Sequence, residues 1–186
     1  MIATSALGGA SLLATAVPFV ESLQPSSRAR AEGGPVEQDI SGLRPGELKT
    51  VVWRGKPVWL LKRTPQMLAS LTHDTALLAD PPSSRSDQPA ACRNVYRSLK
   101  PELAVIVGVC THLGCTPNLQ TQDAAGTGSL GSNWSGRFLC PCHGSKFDLA
   151  GRVFKNVPAP TNLEIPPYVY VSSTLVRVGD PRGSRT

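Results

Sequence analysis

The apolar positions of this chain form a long uncharged opening stretch, then short β-prone runs separated by polar, turn-rich segments. Residues Ile2 to Val20 carry no charged side chain and stop at Glu21. That pattern predicts a membrane-spanning helix of roughly 20 residues. The stretch is only weakly hydrophobic: Gly8, Gly9, Ala10 and Ser11 suit close packing against other helices, and Pro18 falls near its end. A cleaved export signal is the competing reading, but such a signal carries a basic flank, and this sequence starts directly with Met1-Ile2. Arg28 and Arg30 run against the positive-inside tendency for an exported head, so charge alone leaves the orientation open. From Gln24 to Pro35 the residues are mostly Ser, Ala, Arg and Gly, the composition of an exposed tether. Extended at about 3.3 to 3.6 Å per residue, it would reach roughly 40 Å.

Beyond the tether the periodicity is that of strands. Leu48 to Trp53 and Val58 to Lys62, joined by Arg54-Gly55-Lys56-Pro57, predict a hairpin. Thr64-Pro65 reads as an N-cap and first helical residue of a short helix reaching about Leu71. Asp80 to Gln88, with Pro81, Pro82 and three serines, is loop. Leu103 to Val109 is a nearly continuous apolar run, a buried strand that ends at Cys110. Gln120 to Gly136 predicts a long loop with a mobile tip, and Tyr168 to Ser172 with Leu175 to Val178 predicts a closing hairpin at the edge of an antiparallel sheet.

Composition adds little to that picture but agrees with it. The 186 residues suffice for one main domain, and 17 glycines with 17 prolines favour a turn-rich, mostly β fold over a helical bundle. A formal charge of +6 without a basic run interleaved with aromatics reads as a solvated surface and argues against a nucleic-acid partner.

The chemistry lies in two short turns, CTHLGC at 110–115 and CPCHGS at 140–145, which hold four of the five cysteines and two of the three histidines. Cys92 and His73 stand outside them, and we read them as an ordinary cysteine and a helix-end histidine. Covalent haem needs Cys-x-x-Cys-His, and Cys140-Pro141-Cys142-His143 is one residue short. Zinc fingers present paired cysteines and paired histidines, whereas each turn here mixes the two, although zinc stays open on donor type. An all-cysteine iron–sulfur cluster would leave both turn histidines without a role. A mixed cluster, in which two cysteines hold one iron and two histidines the other, uses both kinds of residue in both turns.

In these two turns the chain resembles the bacterial Rieske iron–sulfur proteins of the quinol–cytochrome c oxidoreductases, the cytochrome bc complexes. The similarity covers residues 1 to about 180 in layout. It implies an antiparallel Rieske-type β-sandwich head with a cluster-binding subdomain on a single N-terminal transmembrane helix. Residues 1–23 would be the anchor, 24–36 a flexible hinge and 37–186 the Rieske domain, with the cluster-binding part at about 108–162. It further implies one 2Fe-2S cluster per chain, ligated by Cys110, His112, Cys140 and His143, and a disulfide between Cys115 and Cys142. Ser145, Phe147, Leu113, Gly114 and Gly144 would surround the ligands, with Leu113 as an apolar tip at the quinone-docking surface. The family's shielding loop is matched at Pro158, Ala159 and Pro160, where Val157 replaces a usual glycine. Phe147 stands where many relatives carry a tyrosine whose hydroxyl bonds a cysteine ligand.

The implied function is electron transfer from ubiquinol, hydrogen-bonded to His143 at the quinol-oxidation site of a cytochrome b subunit, to a c-type cytochrome subunit. Proton release would be coupled to it. The implied setting is a dimeric bc complex in the bacterial inner membrane, single-pass, with the head on the periplasmic side. Ferredoxin and dioxygenase modules usually lack the second cysteine pair. The small subunit of arsenite oxidases remains the nearest electron-transfer alternative, and a zinc-stabilised binding module is an alternative of another class.

Overall fold

In the head, each predicted strand run finds an antiparallel partner. The computed structural model describes residues 2–24, 33–73, 75–121 and 135–184. Residues 25–32 of the tether and 122–134 of the long loop lie outside the described residues, and the expectations of a moving tether and a mobile loop tip fall on them.

The chain divides into two units, Met1–Gly34 and Pro35–Thr186. The first contains helix α1, Ile2–Ser22, with Pro18 inside it. Leu12, Leu13, Val17, Phe19 and Val20 on it are exposed. No helix among the described residues is long and apolar enough to cross a membrane. The expected spanning segment is thus a helix, but one whose apolar content is diluted by Gly8, Gly9, Ser11 and Thr15. Inside α1 the Thr15 hydroxyl donates to the Ser11 carbonyl at 2.9 Å, so that polar group is satisfied without water.

Among the described residues, the second unit holds nine strands in three three-stranded antiparallel sheets. The first joins β1 (Val36–Asp39), β9 (Leu175–Val178) and β8 (Tyr168–Tyr170), in that order. The second joins β2 (Leu48–Trp53), β3 (Lys56–Lys62) and β4 (Leu103–Val107). The third joins β5 (Asn118–Gln120), β6 (Arg137–Leu139) and β7 (Lys146–Phe147). The β2–β3 hairpin turns on only two residues, Arg54 and Gly55, with φ of 50° and 72°. That conformation matches the twist of the flanking strands, and it brings Lys56 into β3 opposite Trp53. The hairpin expected at a sheet edge forms between β8 and β9, but β9 is the central strand. The N-terminal β1 pairs with its other side, Val36 opposite Val178. A sequence separation of that size leaves no local signal.

Helix α2 (Pro65–His73) starts as predicted: the Thr64 hydroxyl accepts from Met67 N–H at 3.2 Å, and Pro65 occupies the first turn, where its missing N–H costs nothing. Met67 and Leu71 face the core. The link from this core to the chemistry is Trp59 on β3. Its ring stacks on Phe138 of β6, centroids 4.7 Å apart and planes 16° apart, and so joins the second sheet to the third. Phe138 in turn lies opposite Phe147 on β7. A Cβ on Gly108 would fall 2.3 Å from Trp59 Cε2, so only glycine lets the strand end pass the indole on its way to Cys110.

The reading of the basic residues as a solvated surface is corrected at three positions. Arg63, Arg97 and Arg152 are buried. Burial of such groups requires that their N–H donors be satisfied. Long-range carbonyls supply the acceptors, and no composition count reveals them.

Candidate metal centre

Loop 1 (110–115) follows β4, and loop 2 (140–145) sits between β6 and β7, and the two have the same backbone hydrogen bonds. In loop 1, Cys110 N–H donates to the Cys115 carbonyl at 2.7 Å and Gly114 N–H to the Cys110 carbonyl at 3.0 Å. In loop 2, Cys140 N–H donates to the Ser145 carbonyl at 2.8 Å and Gly144 N–H to the Cys140 carbonyl at 3.0 Å. Gly114 and Gly144 both have left-handed backbone, φ 84° and 72°, which is the physical reason each loop carries glycine before its last residue. The offset is thirty residues throughout, and it sets Cys115 opposite Ser145 and His112 opposite Cys142. The Cys-x3-Gly repeat at 110–114 and 140–144 is the sequence signal of this pseudo-symmetry.

Within the loops the donors sort by burial. The Cys110 and Cys140 thiols are free and buried. Burial pushes the Cys110 thiol up, and the neighbouring Cys140 sulfur adds in the same direction, while the His112 backbone N–H and the Ser145 hydroxyl oppose it. His112 is half-buried and His143 exposed, and their rings meet edge to face with centroids 4.7 Å apart. Cys115 and Cys142 are joined in a disulfide that ties the loops together across 27 residues. The sulfurs of Cys115, Cys140 and Cys142 all lie within 4.8 Å of one another, but two of them are bonded together and have no thiolate to offer. Four-cysteine ligation is therefore closed to this site, and a donor set of two buried thiols and two imidazoles remains. That set fits a mixed-ligand 2Fe-2S cluster and leaves none of the donors over.

The remaining predicted residues surround this set. The buried Ser145 hydroxyl accepts from Ala159 N–H at 3.0 Å, which fastens the segment containing Pro158, Ala159 and Pro160 over loop 2. The Thr111 hydroxyl donates to the Thr161 carbonyl at 2.7 Å and fastens the same segment to loop 1. Phe147 is fully buried, with Val153 opposite on its other side. Leu113 is 71% exposed at the tip of loop 1, an unusual place for leucine and one that leaves its side chain available to a partner. Cys92 is buried away from the loops. Burial raises its thiol to about 11, so it is inert. His73 ends α2, as an ordinary histidine does.

Residues 36–168 match the family model described as the Rieske [2Fe-2S] domain. The chain belongs to the Rieske family. Over 182 residues, 98% of this chain and 87% of the relative, it is 55% identical to the ubiquinol-cytochrome c reductase iron-sulfur subunit of Allochromatium vinosum. Over 179 residues it is 40% identical to the subunit of the same name from Blastochloris viridis, covering 96% of this chain and 89% of that one. A solved structure titled hyperthermophilic respiratory Complex III contains a chain with the same fold, with a TM-score of 0.50 and 24% identity, covering 94% of this Rieske chain and 97% of that chain. The cofactor of the Rieske chain is a 2Fe-2S cluster, as its family and its donor set require.

Proposed function

We propose that this chain is the electron-carrying iron–sulfur subunit of a bacterial ubiquinol-cytochrome c reductase. In this reading Cys110, His112, Cys140 and His143 would together hold the cluster. The observation that carries the reading is the sorting of the donors: buried thiols inside, imidazoles on the rim beside the exposed Leu113. A centre built this way can meet a partner directly through its histidines, which suits exchange with a docked quinol. The relatives that carry the name of this subunit match nearly the whole chain.

When bound, the cluster supplies a one-electron couple at a potential raised by its neutral imidazole ligands. His143, exposed beside Leu113, would accept the hydrogen bond of ubiquinol and take up its proton at a ring nitrogen. Leu113 supplies the apolar contact in the quinol pocket of cytochrome b. The disulfide and the 158–160 segment keep water from the inner thiolates and hold the two loops at fixed spacing. A c-type cytochrome would then receive the electron. Helix α1 anchors the subunit in the inner membrane with the head on the periplasmic side, in a dimeric complex. Its small residues and exposed apolar side chains suit packing against neighbouring subunit helices, which compensates for its modest apolarity.

Purification of the full-length tagged chain from detergent-solubilised membranes tests this proposal. It should bring b- and c-type haem with it and show a red-brown colour with an axial electron-spin signal on reduction. Recovery of a haem-free, colourless zinc protein would overturn it.

Phe147 has a consequence for the potential. It has no hydroxyl, so the donor that a tyrosine offers to a cysteine ligand is missing. Phe147→Tyr is expected to raise the midpoint, because a hydrogen bond to the reduced, more negative cluster is worth about 1 kcal/mol net, roughly 40 mV for one electron. An unchanged or lower midpoint in redox titration would count against it.

A further inference from the structure

Three guanidiniums converge on one turn behind loop 2. The turn runs from Asp148 to Arg152, directly after β7, and is closed by Asp148 N–H donating to the Arg152 carbonyl at 2.9 Å. Arg63 Nε donates to the Leu149 carbonyl at 3.2 Å. Arg97 Nη1 donates to the carbonyls of Ala150 and Gly151 at 3.1 and 3.3 Å. Arg152 Nε donates to the Asp148 carboxylate at 2.6 Å. The other contacts of Arg63 and Arg97 are also neutral: the carbonyls of Pro101, Tyr96 and Leu163, and the side-chain oxygen of Gln88.

Among the described residues, two of the three cations therefore donate to no carboxylate. Through space Asp148 attracts both Arg63 and Arg97, and Asp80 attracts Arg97 more weakly, its own oxygens being occupied by Ser84, Ser86 and the Arg85 N–H. Burial lowers Arg63 and Arg97 to about 10, which still leaves both charged at neutral pH. Buried cations are costly, and a clamp that only held the turn in place could use neutral donors on the same carbonyls. Ser145, whose hydroxyl lies against Cys110, is three residues from Asp148, so their Cα atoms are at most about 11 Å apart.

We propose that this buried arginine cluster is an electrostatic positioning element for electron transfer, whose net positive charge behind loop 2, three guanidiniums against Asp148 and Asp80, biases the bound 2Fe-2S cluster toward its reduced state. The inference rests on the Rieske reading of the site. Reduction adds one negative charge, and a fixed cation stabilises that charge through a medium that screens poorly. At an effective dielectric of about 20, a unit charge about 12 to 17 Å away changes an equilibrium roughly five- to tenfold. For one electron that is about 40 to 60 mV.

The test is an electron-spin-monitored redox titration of the cluster-loaded full chain, unmodified and in two variants of opposite charge effect. Arg97→Gln should lower the reduction equilibrium constant five- to tenfold. Asp148→Asn keeps a side-chain oxygen for the Ala150 and Arg152 N–H groups that Asp148 now serves, removes one negative charge, and should raise the constant. Both shifts should persist at high salt, since buried charges are little screened. Unmoved midpoints, or shifts of the same sign in both variants, as a disturbed turn would give, overturn the inference. If Arg97→Gln does not retain the cluster, Asp148→Asn decides alone. Failure of the Rieske reading would show separately, as the absence of the axial signal from the unmodified protein.

Discussion

Cys140→Ala is expected to abolish the cluster, giving a colourless protein without the axial electron-spin signal, whereas Cys142→Ser keeps the signal and weakens the protein. The two residues are separated by one proline and have opposite surroundings. Cys140 is a free, buried thiol beside Cys110, while Cys142 is exposed and spent in the bond to Cys115. Loss of a ligand leaves one iron three-coordinate in its protein and sulfide shell, and nothing buried nearby can replace it. Loss of the disulfide removes a constraint on a long loop, which for 27 residues of separation amounts to about 3.5 kcal/mol in the chain-entropy description. Iron and sulfide analysis with electron-spin spectra of both variants checks this. If Cys140→Ala retained the spectrum and Cys142→Ser lost it, the ligand assignment would be wrong.

Arg152→Leu should cost about 3 kcal/mol of stability, a large loss for a single change outside the ligands and the disulfide. Arg152 is fully buried, donates to the Asp148 carboxylate at 2.6 Å and to the Leu71 carbonyl at 2.6 Å, and so ties the end of α2 to the turn behind loop 2. Its removal leaves Asp148 with two backbone N–H donors, from Ala150 and Arg152, and no cation bonded to it, only the through-space attraction of Arg63 and Arg97. The penalty comes mostly from that stranded charge, so the double variant Arg152→Leu/Asp148→Asn should recover most of it. At roughly 2 to 4 °C per kcal/mol for a chain of this size, the single variant should melt about 6 to 12 °C lower. Thermal unfolding of the two variants and the unmodified protein measures both effects. A double variant as unstable as the single one would show that the carbonyl contact to Leu71 matters more than the charge.

Legibility in the sequence followed how local each cause is. The β2–β3 hairpin, the Thr64 cap and the strand leading to Cys110 are set by neighbours within a few residues, and all of them were readable. So was the chemistry of the two loops, because a cysteine and a histidine two or three residues apart can serve one centre only if the loop itself is tight. The bounds of the hairpin shifted because Gly55 and the unusual φ of Arg54 close it in two residues instead of four. The uncharged stretch Ile2 to Val20 forms a helix as read, but small hydroxylated and glycine residues dilute α1, and no helix among the described residues is long and apolar enough to cross a membrane.

By itself the sequence determined the donors available to the cluster, the two loops that present them and the mostly β character of the head. Only the tertiary structure decided that β1 closes the sheet beside β9 and that Arg63, Arg97 and Arg152 lie inside, and it alone formed the Cys115–Cys142 bond that the family resemblance had implied. The physical reason is the same for all three. A thiol's partner, a strand's neighbour and a guanidinium's acceptors are fixed by burial and by contacts between residues far apart in sequence, whereas a loop's conformation and a donor's chemistry are fixed where they stand.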